Sequence, residues 1–339
     1  STGEAQFRKR TITKAIQKNV QVTVQRRLLQ LKIERSAGSV DVVDISPDGR
    51  FLATVSADRH PRLWDLKLGR EVHRFNKLAS AATGLQFSPD SQTFFVSAGQ
   101  YVVGYPAQPG ADEQVARLDG VTRALVPSPD GTRLAALQVN GDIRILAVDG
   151  FTELSRLTAG QGDDNPAVSL DFGSTGQFLL SGHADGTVLV WETASGAQVR
   201  RVDATTGRLS MARFGIDESE FFTADDKGTV GYWRVDREEQ QKSFTGAKGA
   251  VVALDYDFDA GVVLAAEAQK RAYAWDFRNP GKAPAVFEGH PAGIRDIRFD
   301  SDPNRFLTAG EEGVTIIWSR ETGEPIAKLI STQRGWAVI

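Results

Sequence analysis

Five tryptophans, Trp64, Trp191, Trp233, Trp275 and Trp318, each end a short apolar run, and the last three gaps between them are 42, 42 and 43 residues. The gap from Trp64 to Trp191 is 127 residues, about three times that period, so two degenerate units must lie inside it. Tyr105 and Leu146 occupy the equivalent place and divide it into 41, 41 and 45. A fixed period of this size is the signature of a repeat architecture. Seven units result, at about 39–77, 78–120, 121–160, 161–204, 205–247, 248–290 and 291–330.

A second marker keeps the same period. Ser46-Pro47-Asp48-Gly49, Ser88-Pro89-Asp90-Ser91 and Ser128-Pro129-Asp130-Gly131 each separate two alternating apolar runs. Pro presets φ for a turn, while Asp and Gly tolerate the left-handed region that tight hairpins use. Four short strands per unit follow; in the first they are expected at 40–45, 51–55, 61–66 and 71–75. Repeated four-stranded units of about 42 residues form propeller blades.

On these residues the chain resembles the WD-repeat (WD40) family over about 27–330. The Trp-Asp pair stands at Trp64-Asp65 and Trp275-Asp276, and a Gly-His pair at Gly289-His290. The turn acid six residues before the Trp position is present as Asp58 and Asp185, with Glu312 as a cousin. The family's network of His, Ser/Thr, Trp and turn Asp is complete in no unit; its nearest match is His290, Thr308, Glu312 and Trp318. The expected fold is an all-β, seven-bladed propeller. The alternative is eight blades, the last a composite of Val20–Val24, Leu28–Ile33, Ile326–Ile330 and Trp336–Ile339. Ring closure stays open between an N-terminal strand and a C-terminal one turning at Glu321-Thr322-Gly323.

Composition removes most chemistry. The 339 residues are 41% apolar and 24% charged, ordinary for a folded chain, and no apolar run reaches the length of a membrane span. Cys is absent and only four His occur (60, 73, 183 and 290), which excludes thiolate nucleophiles and disfavours a His-built metal centre. Gly281-Lys282-Ala283 and Gly160-Gln161-Gly162 lack the remaining positions of phosphate-binding loops. Asp257-Phe258-Asp259-Ala260-Gly261 lacks the later bidentate acid of a calcium loop and reads as a hairpin turn. No catalytic, metal or cofactor site is expected.

Two sets of residues are singled out instead. Strand alternation places Asp44, Gln86, Val126, Asp171, Arg213, Asp255 and Arg298 around the central channel, and their alternating signs predict ion pairs between neighbouring blades. The rival reading is a hydrolase with a metal in that channel. The resemblance also implies an interaction face formed by the outer-to-inner strand loops and the turns between second and third strands. Carried onto this chain it comprises Arg59, His60, Tyr101, Asn140, Asp163, His183, Asp226, Lys227, Lys270, Arg271 and Glu311. Mixed signs with Arg and Tyr anchors suit a protein or peptide partner, or other domains of the same polypeptide. Nucleic acid and membrane are not expected partners, since neither a continuous positive patch nor an apolar span is present.

Charge is uneven along the chain. Residues 1–35 carry nine basic and two acidic side chains, against 31 basic and 41 acidic in the remainder. The basic arm, set at 1–26, is expected to dock on its own acidic body or a neighbour; an anion-seeking role is the weaker option. The first residue is not Met, and 331–339 stops inside an apolar run, which leads to the expectation of a chain cut from a longer protein. Gly335-Trp336-Ala337-Val338-Ile339 is similar to the stretch that follows WD repeats in some bacterial proteins bearing a caspase-like peptidase domain. The resemblance implies a non-catalytic scaffold or sensor module, with any catalysis in an absent domain. The compartment stays open, with a lean towards the cytoplasm.

Overall fold

Apolar alternation interrupted by Pro, Asp and Gly every six to ten residues leaves the backbone only short antiparallel pairings, and these are what form. The structure, a computed structural model, describes residues 33–34, 40–65, 68, 70–108, 112–158, 166–205, 207–237, 240–300, 302, 304–311, 314–332 and 335–338. The described residues contain strands and turns without helices. Seven antiparallel sheets follow one another, the first four strands of each running in chain order from the innermost outwards. The first blade is Val40–Ile45, Phe51–Ser56, Pro61–Asp65 and Arg70–Arg74. The seventh begins with Ile294–Phe299, Arg305–Gly310 and Val314–Ser319.

The Ser-Pro-Asp turns show why that tripeptide recurs. Ser46 Oγ donates to Asp48 Oδ1 at 2.6 Å and accepts the Phe51 N–H at 2.8 Å, so one side chain closes the turn from inside. Ser88 and Ser128 repeat this with Asp90 and Asp130. Burial opposes ionisation of Asp130, but the Ser128 and Thr132 hydrogen bonds win and hold its carboxyl down at about 2.

Blade seven settles the closure. Its fourth strand is Pro325–Thr332, paired with Val314–Ser319, so the C-terminal hairpin completes the blade. The eight-bladed alternative fails at this point. Gly335–Val338 adds to that same sheet as a fifth strand and Ile33–Glu34 as a sixth, instead of forming a blade of their own. Residues 331–332 and 335–338 therefore belong to the propeller's sheet. The basic arm and Val20–Val24 lie outside the described residues.

Among the described residues the core forms six buried clusters, each spanning one pair of neighbouring blades. Phe51, Leu63, Phe87, Phe94 and Tyr105 join blades one and two; Leu264, Phe287, Ile294, Phe306 and Trp318 join six and seven. The four remaining clusters join the pairs between. At the junction of blades seven and one lies a cavity of ≈ 360 Å³.

Candidate interaction face

In blades one to six the residue that turns the second strand into the third takes a left-handed backbone conformation. Glycine serves in blades two to five, at Gly99, Gly141, Gly186 and Gly228, with φ from 61° to 93°. At Gly186 an added Cβ would lie 2.1 Å from the Thr205 carbonyl oxygen, so no other residue fits. Blades one and six instead use Arg59 (φ 64°) and Lys270 (φ 91°). A left-handed backbone conformation costs a residue with a Cβ about 1–2 kcal/mol, and such strain concentrates at functional sites.

These turns share one face with the links between blades. The Arg59 carbonyl accepts the Leu78 N–H, the Gly99 carbonyl the Thr122 N–H, and the Val121 carbonyl the Val139 N–H. The same pattern joins Asp226 to Arg208, Ala268 to Ala250 and Glu311 to Gly293. Asn140, Asp226, Lys227, Lys270 and Glu311 are exposed there, and Arg59, His60, Tyr101 and Arg271 half-exposed. Arg59 Nη1 reaches the Ala79 carbonyl at 2.7 Å, and Arg271 Nε the Glu288 carboxylate at 2.6 Å. Val121 and Val139, 45% and 59% exposed, add an apolar spot that sequence reasoning missed. Asp163 lies outside the described residues.

His183 is a correction. It ends the strand Phe178–His183 and is fully buried, so it cannot belong to the face. Its Nε2 lies 2.9 Å from Ser181 Oγ, which also accepts the Trp191 Nε1–H at 2.8 Å. The arrangement recurs in blade seven, where Thr308 Oγ1 accepts from Trp318 and stands 2.7 Å from His290 Nε2. Thr54 and Thr223 accept from Trp64 and Trp233 in the same way. The signal was present as a hydroxyl residue ten positions before the tryptophan. Blade six has Ala265 there, and Trp275 turns to the Thr245 carbonyl instead. Glu312 lies outside the described residues.

All seven channel residues are half-buried on innermost strands. Asp44, Asp171 and Asp255 each reach forward to accept the backbone N–H of Phe87, Phe214 and Phe299 on the next blade, all at 2.8 Å. Arg213 Nη1 pairs with Asp255 Oδ1 at 3.1 Å and bonds the Leu254 carbonyl. Arg298 departs from the expected pattern: its nearest carboxylate is Asp296, on its own strand, at 3.4 Å. Burial raises the Asp44 carboxyl to about 6 and also raises Asp171. The Asp296 carboxylate, ahead of opposing burial and the attraction of Asp255, Asp44 and Asp171, holds the Arg298 guanidinium firmly protonated. These carboxylates bind backbone and guanidinium, and no group of three potential metal ligands occurs among the described residues.

Two buried arginines also escaped the sequence reading. Arg62 and Arg144 stand two residues before Trp64 and Leu146. Arg62 pairs with Asp58 and, at 3.6 Å, Glu71; Arg144 pairs with Asp119 and Glu153.

A propeller of seven blades, four of them pinned by an indole–hydroxyl bond, defines a class, and the comparisons agree with it. The family model "WD domain, G-beta repeat" matches residues 30–65, 154–192 and 281–319. The chain thus carries WD repeats at these three places. It is similar to Transcription initiation factor TFIID subunit 5 of Caenorhabditis elegans, 25% identical over 58% of this chain and 30% of that protein. Apoptotic protease-activating factor 1 of Rattus norvegicus is 23% identical over 83% of this chain and 22% of its own length. Transducin beta-like protein 2 of Homo sapiens is 22% identical over 87% and 52%. The chain thus spans less than a third of the first two relatives.

Proposed function

We propose that this propeller is a non-catalytic scaffold or regulatory module of a longer protein, and that it binds a protein segment on the face carrying Arg59, Tyr101, Lys227 and Lys270. The carrying observation is the placing of Arg59 and Lys270 at left-handed turns where the intervening blades use glycine. Retaining a long cation against that strain makes sense where the side chain contacts a partner. Mixed charges around exposed Val121 and Val139 add an apolar centre with a polar rim, the usual anatomy of a protein interface. A place within a longer polypeptide draws support from the short share of its relatives that the chain covers. The caspase-like setting would rest on a short segment whose Gly335–Val338 stretch is a strand of the propeller itself.

The test is affinity capture with the whole chain against the Arg59→Glu/Lys270→Glu variant. Partners retained by the parent and lost by the variant are the expected result. An identical set of partners for both overturns the proposed face.

A further inference from the structure

The junction of blades seven and one differs from the other six in a way that points to an occupant. The second strands of blades one to six are buried at five or six of their six positions. In blade seven, Arg305–Gly310 alternates instead, leaving Leu307 and Ala309 half-exposed. The counterparts of Leu307, namely Ala53, Phe95, Ala135, Leu180, Phe222 and Leu264, are at most 1% exposed. Across the junction Ile45 is 37% exposed, whereas Phe87 at the same place in blade two is 4% exposed. The cavity between them has walls of Val43, Ile45, Leu52, Ile297, Phe299 and Leu307. Asp44, Asp48, Asp296 and Asp300 also line it, with Arg298 as the one basic residue among the lining groups. A segment suited to it carries apolar side chains beside excess positive charge.

The chain contains such a segment within residues 1–32, which lie outside the described residues. Val20, Val22 and Val24 alternate, so an extended backbone places all three on one side, and Arg26-Arg27 follow directly. We propose that Val20–Arg27 docks in the seam between blades seven and one, its valines against the apolar walls and its arginines at the aspartates. Distance permits this. Ile33–Glu34 is the outermost strand of blade seven's sheet, four strand spacings from Arg305–Gly310, or about 19 Å. The nine steps from Val24 to Ile33 span up to about 30 Å. Because the segment is tethered beside its site, its effective concentration is in the millimolar range, and modest contacts keep it bound. Docking supplies this seam with the packing that the other junctions draw from their own blades.

The absence of Cys makes the test clean. Ala309→Cys places a single thiol in the cavity wall of the whole chain, and its alkylation rate is compared with the same variant also carrying Arg26→Glu/Arg27→Glu. Docking predicts labelling about tenfold slower with the native arm, and a disulfide within one chain when Val22→Cys is paired with Ala309→Cys. Equal labelling rates overturn the proposal, as does protection that grows with protein concentration, which would assign the seam to a second copy. Should Ala309→Cys not fold, hydrogen exchange at Val40–Ile45 in the cysteine-free chain decides. Exchange faster with Arg26→Glu/Arg27→Glu supports docking, and unchanged exchange refutes it.

Discussion

Ser181 Oγ sits between two aromatic nitrogens, 2.8 Å from Trp191 Nε1 and 2.9 Å from His183 Nε2, with all three residues buried. The hydroxyl accepts from the indole, and its own orientation adapts to the imidazole. Ser181→Ala leaves two buried nitrogens without this partner, each worth about 1–3 kcal/mol. We expect a loss of about 2–4 kcal/mol by urea unfolding. Ser181→Thr keeps the hydroxyl, as blades one, five and seven do, and should stay within about 1 kcal/mol of the parent. Equal losses for both variants would sink the assignment.

The two buried arginines separate burial of the cation from burial of its partners. Asp58 and Glu71, the partners of Arg62, are 14% and 27% exposed; those of Arg144, Asp119 and Glu153, are 61% and 40% exposed. Removing Arg62 leaves carboxylates that water reaches poorly, and burial already raises the Glu71 carboxyl despite Arg62 beside it. Arg62→Met should therefore cost about 3–5 kcal/mol, whereas Arg144→Met should cost about 1 kcal/mol because its acids rehydrate. Thermal and urea unfolding of both variants check the ranking, and a reversed order refutes it.

Asp44 makes the channel's stability pH-dependent. Its folded-state pKa of about 6 lies above the ordinary 3.8, through burial that outweighs the Phe87 N–H and Arg298, with Asp296 adding repulsion. The folded chain thus binds this proton more tightly than the unfolded chain. The stability contribution falls as pH rises from about 4 to 6 and stays low above that window. Asn at this position keeps an oxygen for the Phe87 N–H and removes the buried charge. Asp44→Asn should be more stable than the parent by about 1–3 kcal/mol at pH 8, with the gap closing towards pH 4. Urea titrations at both values measure it; a gap independent of pH counts against Asp44 as its source.

Lys270→Gly tests whether strain at the face is retained for binding. Glycine relieves the left-handed turn, so stability should hold or rise by up to about 1 kcal/mol, while the captured partner weakens. Thermal unfolding and affinity capture of one preparation report both. A stability loss of several kcal/mol, or unaltered capture, would remove Lys270 from the role.

The ring was legible because its marks are local: Trp64 to Trp318 keep a period, and Ser46-Pro47-Asp48 closes its own turn. His183 was misplaced because its proximity to a turn was read as exposure, when strand pairing with Ala167 carries it inward. Arg298 has one choice of carboxylate on its own strand and others across a gap, a competition set by three-dimensional distance that alternation does not encode. The indole–hydroxyl spacing of ten could have been found, since diagonal neighbours across a hairpin stand at a fixed separation.

The six-stranded seventh sheet has a mechanical consequence. Ile33 faces Trp336 and Glu34 faces Gly335, so the chain's incoming and outgoing ends are held by a two-residue ladder at one edge of the disc. Tension applied between those ends opens this ladder rung by rung before it loads a complete blade. The pairing acts as a mechanical fuse, yielding first and sparing the ring behind it.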